Sequence, residues 1–430
     1  MIKIVDMVMG SGKSSAAITY MNEHPEKRFL YVTPFLDETE RIVNACSALK
    51  FKTPSEKIPE YRFSKSNHLR SLVNQRRNIA LTHALFLRID DVGAQAITDS
   101  GYTIIIDEVV DVFGDVPASQ EDIKLLSEAG YLNSYETGGQ YEYYRMSEKA
   151  YQYDGLMNEF FDNAKRGQIV QTNGWQGGKQ IKYGIWEVNR RLFTLSDEIF
   201  ILTYMFDGMP MKGFLEANKL PYSFMYVRKE QDGKYRFSDV GEMPSYIQNL
   251  RNMIHVCDKD SINQIGNGEH DLSVNWTKGG KEDGRLAALR RHVNTYFRRH
   301  IPEGIGADKT LWTTFKYGRD EVKGKGASDK NFLAFNAKAT NAYGDRAALA
   351  FCVNVFMNPN LLNYLRHVGA NVDEKKYALA VMVQWIWRSR IRNGQEIWIY
   401  IPSRRMRGLL LSWIDDLEAA YQKEQEVKRT

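Results

Sequence analysis

The chain of 430 residues has little cysteine and no long uninterrupted apolar run. Its three cysteines, Cys46, Cys257 and Cys352, lie far apart and form no C-x-x-C pair. This spacing argues against a disulfide framework and against a zinc site, and it favours reduced thiols. No apolar segment reaches the roughly 18 residues that a membrane-spanning helix needs, and the first residues do not look like a signal peptide. We therefore expect a soluble, cytoplasmic protein without a membrane partner.

A strong charge bias is also missing. The chain carries 58 Lys and Arg residues against 53 Asp and Glu residues, which gives a formal charge of +5. This balance permits a polyanionic partner without requiring one, because local clustering matters more than the total. Hydrophobic residues make up 43% of the sequence, enough for the cores of two or three ordinary domains, so the composition excludes a disordered chain.

Short apolar segments alternate with helical stretches along the chain. Strands are predicted over 2–7, 29–33, 78–82, 103–106, 198–204, 309–315, 332–335, 348–353 and 396–401. Helices are predicted over 14–21, 37–49 and 285–300. This alternation indicates the α/β class, with parallel sheets flanked by helices. Residues 116–190 are rich in tyrosine and glycine, and we interpret them as an insertion in the first of two domains, 1–208 and 209–430.

Residues 7–14, Met-Val-Met-Gly-Ser-Gly-Lys-Ser, match a phosphate-binding P-loop, although Met7 stands where a glycine is usual. Glycines let backbone N–H groups close around phosphate oxygens, and the helix that follows presents its positive end to the anion. We expect Lys13 to reach the β- and γ-phosphates of ATP and the Ser14 hydroxyl to bind Mg²⁺. The predicted nucleotide-binding residues are Gly10, Ser11, Gly12, Lys13, Ser14 and Ser15. The alternative is a chance glycine turn before a helix.

Residues 102–108 form an apolar strand that ends in two carboxylates. Asp107 stands where a P-loop NTPase holds its Mg²⁺. Glu108 stands where such an enzyme places the base that orients and deprotonates the attacking water. An acidic turn after a strand is common by itself, but here it follows a P-loop in the same α/β unit. Together the two motifs predict an ATP hydrolase that requires Mg²⁺.

Several short segments, taken in order, resemble the motifs of superfamily 2 helicases, in particular the DEAD-like helicases of bacteriophages. They are the P-loop, Thr33-Pro34, Thr82-His83, Asp107-Glu108 and Leu202-Thr203. The resemblance implies two RecA-like domains and an ATP-dependent helicase or translocase. It implies nucleic-acid contacts for Thr33, Pro34, Thr82 and His83, and a part for Thr203 in coupling hydrolysis to domain movement.

The same resemblance implies a partner and a location. The partner is DNA or RNA with a single-stranded tract, and replication or repair proteins are further candidates. If the chain is viral, the resemblance places it in the host cytoplasm.

Residues 384–392, Gln-Trp-Ile-Trp-Arg-Ser-Arg-Ile-Arg, resemble the last motif of that family, a glutamine followed by spaced arginines. Arginines from a second domain can neutralise charge that builds on the γ-phosphate. Arg388 holds the first arginine position, and Arg390 or Arg392 must replace the second, which falls on Ile391. The catalytic candidates are therefore Lys13, Glu108, Gln384, Arg388 and Arg392. A basic helix with core tryptophans remains the alternative for this segment.

Residues 335–341 resemble the family segment that links nucleotide and nucleic acid in the second domain, and Thr340 and Asn341 are its coupling candidates. Three basic clusters are candidate phosphate contacts, although each could equally be a solvated face. The first holds Arg62, Lys65, His68, Arg70, Arg76 and Arg77. The second holds Arg285, Arg290, Arg291, Arg298 and Arg299, with Tyr296 and Phe297 between them. The third holds Arg404, Arg405 and Arg407.

Two other functions stay open. A DNA-packaging motor of the terminase type would carry a nuclease domain with clustered acidic residues near its C-terminus, whereas Asp415, Asp416 and Glu418 lie on an apparent helix here. A nucleic-acid-binding switch that depends on NTP would lack strand separation. Glu108 favours turnover over such a switch.

Overall fold

The computed structural model describes residues 1–116, 118–136, 141–155, 157–165, 167–176, 179–337 and 342–429. The strands in these ranges are β1 (Ile2–Asp6), β2 (Arg28–Thr33), β3 (Ile79–Thr82), β4 (Tyr102–Asp107), β5 (Phe113–Asp115), β6 (Leu132–Glu136), β7 (Tyr141–Met146), β8 (Gly167–Gln176), β9 (Lys179–Val188), β10 (Ile199–Thr203), β11 (Tyr222–Lys229), β12 (Tyr235–Ser238), β13 (Ile254–Val256), β14 (Thr310–Thr313), β15 (Ala348–Phe351) and β16 (Ile397–Tyr400).

The α-helices are α1 (Lys13–Glu23), α2 (Leu36–Ala45), α3 (Lys65–Asn74), α4 (His83–Phe86), α5 (Asp91–Ser100), α6 (Gln120–Glu128), α7 (Asn158–Ala164), α8 (Pro210–Ala217), α9 (Leu250–Met253), α10 (Asp260–Asn263), α11 (Val274–Gly279), α12 (Arg285–Arg299), α13 (Arg319–Val322), α14 (Pro359–His367), α15 (Glu374–Ile386) and α16 (Arg404–Arg429). Among the described residues, no helix combines the length and apolar composition needed to cross a bilayer.

The chain divides into two compact units. The first unit consists of Met1–Met7, Gly12–Gly241 and Asn358–Val372. The second unit consists of Val8–Ser11, Glu242–Met357 and Asp373–Thr430. The predicted domain boundary near residue 208 and the predicted limits of the insertion stay predictions.

A seven-stranded sheet with the order β12-β11-β1-β10-β4-β2-β3 forms the centre of the first unit. All its pairs are parallel except β11 with β12. Ile4 pairs with Ile201 and Val32 pairs with Ile106, and all four side chains are fully buried. Strands that are apolar at consecutive positions are typical of parallel sheets covered on both faces, which explains why the sequence shows apolar runs rather than alternation here.

A second, antiparallel sheet belongs to the same unit and has the order β5-β9-β8-β7-β6. It lies in the chain between the strand that ends in Asp107 and the strand that ends in Thr203. Helices α6 and α7 supply Ile123, Phe160 and Phe161 to a separate small core beneath it. The tyrosine-rich and glycine-rich segment of the sequence therefore forms a sheet with its own hydrophobic core.

The second unit is built on a parallel sheet with the order β13-β16-β15-β14. Its core includes Leu289 and Val293 of α12, which pack with Trp312 of β14. The prediction of a strand over 332–335 is wrong. Residue Phe332 forms only an isolated bridge with Trp312, and the N–H of Leu333 donates to the carbonyl of Trp312, so the apolar run lies against β14 without forming a strand.

Candidate functional site

The P-loop connects β1 to α1. Gly10 and Gly12 adopt left-handed backbone conformations, with φ angles of 77° and 84°, which glycine reaches without the steric penalty of a Cβ. Gly12 is the N-cap of α1, and no side chain caps this helix. The N-terminus of α1 therefore follows a glycine turn directly, which is the arrangement that the sequence predicts for a phosphate-binding loop.

Lys13 lies at the start of α1, and its ammonium group donates to the backbone carbonyl of Met7 at 2.5 Å. Burial lowers the pKa of Lys13 to about 8, while the nearby carboxylates of Asp107, Asp6 and Glu108 act in the opposite direction. Asp6 ends β1, and burial raises its pKa, although the backbone N–H groups of Phe206 and Met205 oppose this shift. The lysine thus stands among three carboxylates.

Asp107 ends β4 and meets the P-loop directly. The Ser14 hydroxyl donates to Asp107 Oδ2 at 2.9 Å. Tyr31 from β2 donates its hydroxyl proton to the same oxygen at 2.6 Å, and a guanidinium nitrogen of Arg41 lies 3.8 Å from it. The structure therefore brings together the two motifs that the sequence analysis predicts to share one site.

Glu108 follows Asp107 with a φ angle of 62°. This left-handed conformation is strained for a residue with a side chain, and such strain often marks functional sites. The N–H of Glu108 donates to the carbonyl of Leu202 at 3.1 Å, which holds the turn against the next strand.

The donor set suits Mg²⁺ bound together with a nucleotide. Among the described residues, no group of three or more His, Cys, Asp and Glu residues could hold a metal ion alone. Mg²⁺ in nucleotide sites takes one or two protein ligands and completes its octahedron with phosphate oxygens and waters. A hydroxyl and a carboxylate that already touch, Ser14 and Asp107, fit this requirement.

The segments with implied nucleic-acid contacts end adjacent strands of the same sheet. Thr33 pairs with Thr82 at the ends of β2 and β3. The side chain of Thr33 is fully buried, and His83 is 4% exposed. Thr82 caps α4 by accepting from the N–H of Leu85. Pro34 follows β2 and is partly exposed. The contacts of these four residues with nucleic acid stay predictions.

His83 makes a contact that the sequence does not suggest. Its Nε2 atom lies 2.9 Å from the backbone carbonyl oxygen of Asp107. Thr203 ends β10, pairs with Asp6 and is buried. The carboxyl ends of β1, β10, β4, β2 and β3 therefore carry Asp6, Thr203, Asp107, Thr33 and Thr82 along one edge, where parallel sheets bind their ligands.

Within the second unit, Gln384 lies in α15 and is partly exposed, Arg388 follows this helix and is buried, and Arg392 is exposed. Arg390 donates to the carbonyl of Glu396 at 2.6 Å. Its guanidinium group lies 5.5 Å from the ring centre of Trp398. The candidates Thr340 and Asn341 lie outside the described residues.

The three basic clusters differ in what their side chains contact. His68 is buried, accepts from the N–H of Ser55 and stacks on Tyr61. Tyr296 and Phe297 belong to the core of the second unit. The third cluster has a structural part. Arg405 donates to Asn354 and to the carbonyl of Val355, and Arg407 donates to the carbonyls of Ile401 and Pro402.

Sequence reasoning missed four residues around the predicted site, namely Asp6, Tyr31, Arg41 and Tyr235. Tyr235 of β12 lies so close to the P-loop that a Cβ built on Gly12 would stand 2.3 Å from its ring. Tyr31 and Arg41 reach Asp107 from β2 and α2. Asp6 directly precedes the P-loop in the sequence. The order of the strands in the sheet brings Tyr31 and Tyr235 to the motifs, and a single sequence does not reveal that order.

Two solved structures, described as XPD_APO and XPD_Helicase, share this architecture. Each matches with a TM-score of 0.50 at 12% sequence identity, and each alignment covers 95% of this chain. The alignments cover 95% of the XPD_APO chain and 94% of the XPD_Helicase chain. The chain therefore has the α/β fold of these XPD helicase structures, with two RecA-like domains, and the predicted fold class is confirmed. At this identity the likeness shows the fold alone.

The sequence relationship is narrower. Residues 248–414 match the family described as the YonV C-terminal Rossmann-like domain. Over 420 residues the chain is 31% identical to the SPbeta prophage-derived uncharacterized protein YonV of Bacillus subtilis (strain 168), covering 96% of this chain and 99% of that protein. The chain belongs to the YonV family. Membership of the phage DEAD-like helicases stays a prediction.

Proposed function

We propose that this chain is an ATP-dependent translocase or helicase of the DEAD-like superfamily 2 type that acts on nucleic acid. One observation carries the proposal: the Ser14 hydroxyl donates to Asp107 Oδ2 at 2.9 Å. This bond places the end of the P-loop against the carboxylate pair, which is the arrangement that P-loop NTPases use to hold Mg²⁺ and phosphate together. The fold shared with the XPD helicase structures supports the same proposal.

Each residue of the site receives a role from its position. Lys13 neutralises charge on the β- and γ-phosphates of ATP, and the P-loop N–H groups hold the phosphate oxygens. Ser14 and Asp107 would hold Mg²⁺, which neutralises charge that develops on the phosphates. Glu108 orients the attacking water and accepts its proton. Arg388 and Arg392 are the candidates for stabilising the transferred phosphoryl group.

The nucleic acid would bind at the carboxyl edge of the first unit's parallel sheet, where the partly exposed Pro34 and Thr82 would contact it and the buried Thr33 and His83 would lie directly behind them. The bond from His83 to the carbonyl of Asp107 supports a route by which strand binding reaches the hydrolytic carboxylates. Thr203 is the candidate for coupling hydrolysis to movement, because it ends the strand beside β4.

The decisive experiment is a phosphate-release assay with ATP and Mg²⁺, run with and without single-stranded DNA or RNA. We expect hydrolysis that nucleic acid stimulates and that Lys13→Ala abolishes. Activity retained in Lys13→Ala would reject the assigned site. Unwinding of matched DNA and RNA duplexes with an overhang at either end then decides the substrate, the polarity and whether strands separate.

The same assays separate the alternatives. Nucleotide-dependent strand binding without stimulated hydrolysis would indicate a switch rather than a motor. Stimulation by double-stranded DNA alone, without unwinding of any duplex, would favour a packaging motor. Either result would replace the helicase proposal.

A further inference from the structure

Tyr31 is a fully buried tyrosine of β2 that reaches the metal-holding carboxylate. Its hydroxyl donates to Asp107 Oδ2 at 2.6 Å. Strands β2 and β4 are parallel neighbours, and Tyr31 pairs with Ile105, two residues before Asp107. Because residues two apart in a strand lie on the same face of the sheet, the Tyr31 side chain lies on the face that carries Asp107. The ring packs in the core of the first unit with Val5, Ala17 and Ile105, and this packing holds the hydroxyl in place.

Two hydroxyl protons converge on one oxygen of Asp107. Tyr31 and Ser14 both donate to Oδ2, and the guanidinium group of Arg41 lies within 4 Å of it. Donors on one carboxylate oxygen fix the rotation of the carboxylate, so Oδ1 points away from Tyr31. Ser14 can release or share its contact when its hydroxyl binds a cation, whereas Tyr31 is held in the core.

The hydroxyl of Tyr31 is not needed to fill space. A phenylalanine has nearly the same volume, and a buried tyrosine hydroxyl must find an acceptor. Tyr102 on the neighbouring strand satisfies this need with a backbone carbonyl, that of Arg77, at 2.7 Å. Tyr31 instead uses a carboxylate of the nucleotide site. The difference between these two buried tyrosines indicates that the Tyr31 hydroxyl acts on Asp107.

We propose that Tyr31 is a positioning residue, whose hydroxyl holds Asp107 in the orientation that takes a divalent cation and so sets the cation affinity of the nucleotide complex. This inference rests on the proposed function, because it assigns Asp107 to the metal. Carboxylates that ligate metals depend on their own hydrogen-bond partners, and removal of such a partner typically costs 10-fold to 100-fold in metal affinity.

The test compares Tyr31→Phe with Tyr102→Phe in the full chain. Each variant removes one buried hydroxyl from the same sheet, and thermal melting checks that both fold. The probe is Mn²⁺ in the presence of ADP, with free Mn²⁺ measured by electron paramagnetic resonance, so the readout does not depend on turnover. We expect Tyr31→Phe to weaken Mn²⁺ binding roughly 10-fold, with Tyr102→Phe equal to the unchanged chain.

Binding of ADP without metal should be the same in all three proteins, because Tyr31 is assigned no contact with the phosphates. Equal Mn²⁺ affinity in the two variants would overturn the inference, and so would a loss of metal-free ADP binding in Tyr31→Phe. If the unchanged chain binds Mn²⁺ and ADP but hydrolyses nothing, the proposed function fails while the titration still decides the role of Tyr31. If it binds neither, both are overturned.

Discussion

The ring of Tyr235 lies against Gly12, the P-loop residue that is the N-cap of α1. A Cβ on Gly12 would stand 2.3 Å from Cδ1 of that ring, and the φ angle of Gly12 is 84°. Gly12→Ala should therefore displace the loop, lower the melting temperature and remove ADP binding, measured by calorimetry and isothermal titration.

Gly101→Ala is the matched control. Gly101 is also left-handed but has open space around it, so it should lose only about 1 kcal/mol of stability. Equal effects of the two substitutions would refute the steric explanation.

The lowered pKa of Lys13, about 8 in the free protein, predicts how nucleotide affinity depends on pH. A bound phosphate raises this pKa, so binding takes up a proton above pH 8 and none well below it. The affinity for ADP should be constant near pH 7 and should fall above pH 8, by at most about tenfold per pH unit. Titrations from pH 7 to 10 measure this. Lys13→Arg, which stays charged, should show a flat profile, and a sloping one would place the titrating group elsewhere.

Glu108→Gln should separate hydrolysis from binding. The amide keeps the size of the side chain but cannot accept the proton of the attacking water, so phosphate release should fall roughly 100-fold or more. Binding of ATP with Mg²⁺ should remain, because Lys13, Ser14 and Asp107 are unchanged. Glu40→Gln in α2, where Glu40 is exposed, is the control and should have full activity. A Glu108→Gln protein with normal turnover would show that another residue handles the water.

The lowered pKa of Glu198 predicts that the first unit loses stability in acid. Burial opposes its charge, but hydrogen bonds from Lys27, Lys3 and Tyr20 outweigh this and lower the pKa of Glu198 to about 2. Because the folded pKa lies below the unfolded value of about 4.3, this stabilisation is complete above pH 5 and is lost as pH falls toward 2. Because water screens this partly exposed carboxylate, Glu198→Gln should reduce the free energy of unfolding at pH 7 by about 1 to 2 kcal/mol, less than the full pKa shift would give.

The difference between Glu198→Gln and the unchanged chain should narrow toward pH 3, as measured by urea unfolding across that range. Glu26→Gln, at an exposed position in the same region, should change neither the free energy of unfolding at pH 7 nor its dependence on pH. A Glu198→Gln deficit that is independent of pH would mean that the side chain acts through packing rather than charge.

The second arginine of the last motif can be assigned by mutation. Arg390 donates to the carbonyl of Glu396 and lies over Trp398, and these two contacts give it a structural part. We propose that Arg392, whose side chain is exposed, is the residue that reaches the phosphate. Arg392→Ala should keep the melting temperature and ADP binding while stimulated hydrolysis falls about 1,000-fold, the lower range for such arginines. Arg390→Ala should lower the melting temperature instead. If Arg390→Ala lowered hydrolysis and Arg392→Ala lowered the melting temperature, Arg390 would be the residue that reaches the phosphate.

The parts of this fold that could be predicted are those that local sequence determines. An apolar run, a glycine turn and a helix identify β1, the P-loop and α1, and an apolar run with two carboxylates identifies β4. The apolar run at 332–335 led to a wrong prediction of a strand, because Phe332 and Leu333 lie against the edge of β14. Phe332 makes a single bridge, and the carbonyl of Leu333 accepts from the indole of Trp385. Such pairing depends on distant residues.

The candidate site shows the same division. The sequence predicts the P-loop and the carboxylate pair, whereas it does not predict the residues that contact them. His83 lies on a segment that resembles a nucleic-acid motif, yet its ring contacts the carbonyl of Asp107, because β4 and β3 flank β2 in the sheet. Tyr31 occupies an ordinary apolar strand in the sequence. Strand order, which one sequence does not contain, decides both contacts.

The return of Asn358–Val372 to the first unit has a consequence for synthesis on the ribosome. Tyr364 in this segment is buried and donates to Glu187 at 2.8 Å, and Leu365 packs against Gly213. A nascent chain that ends at residue 241 therefore lacks one of the donors to the buried carboxylate of Glu187, beside those from Gln168 and Asn218, and lacks the cover over Gly213. The P-loop and the carboxylate pair of the proposed nucleotide site lie within the first 108 residues, but the unit that carries them is completed only after most of the second unit has emerged.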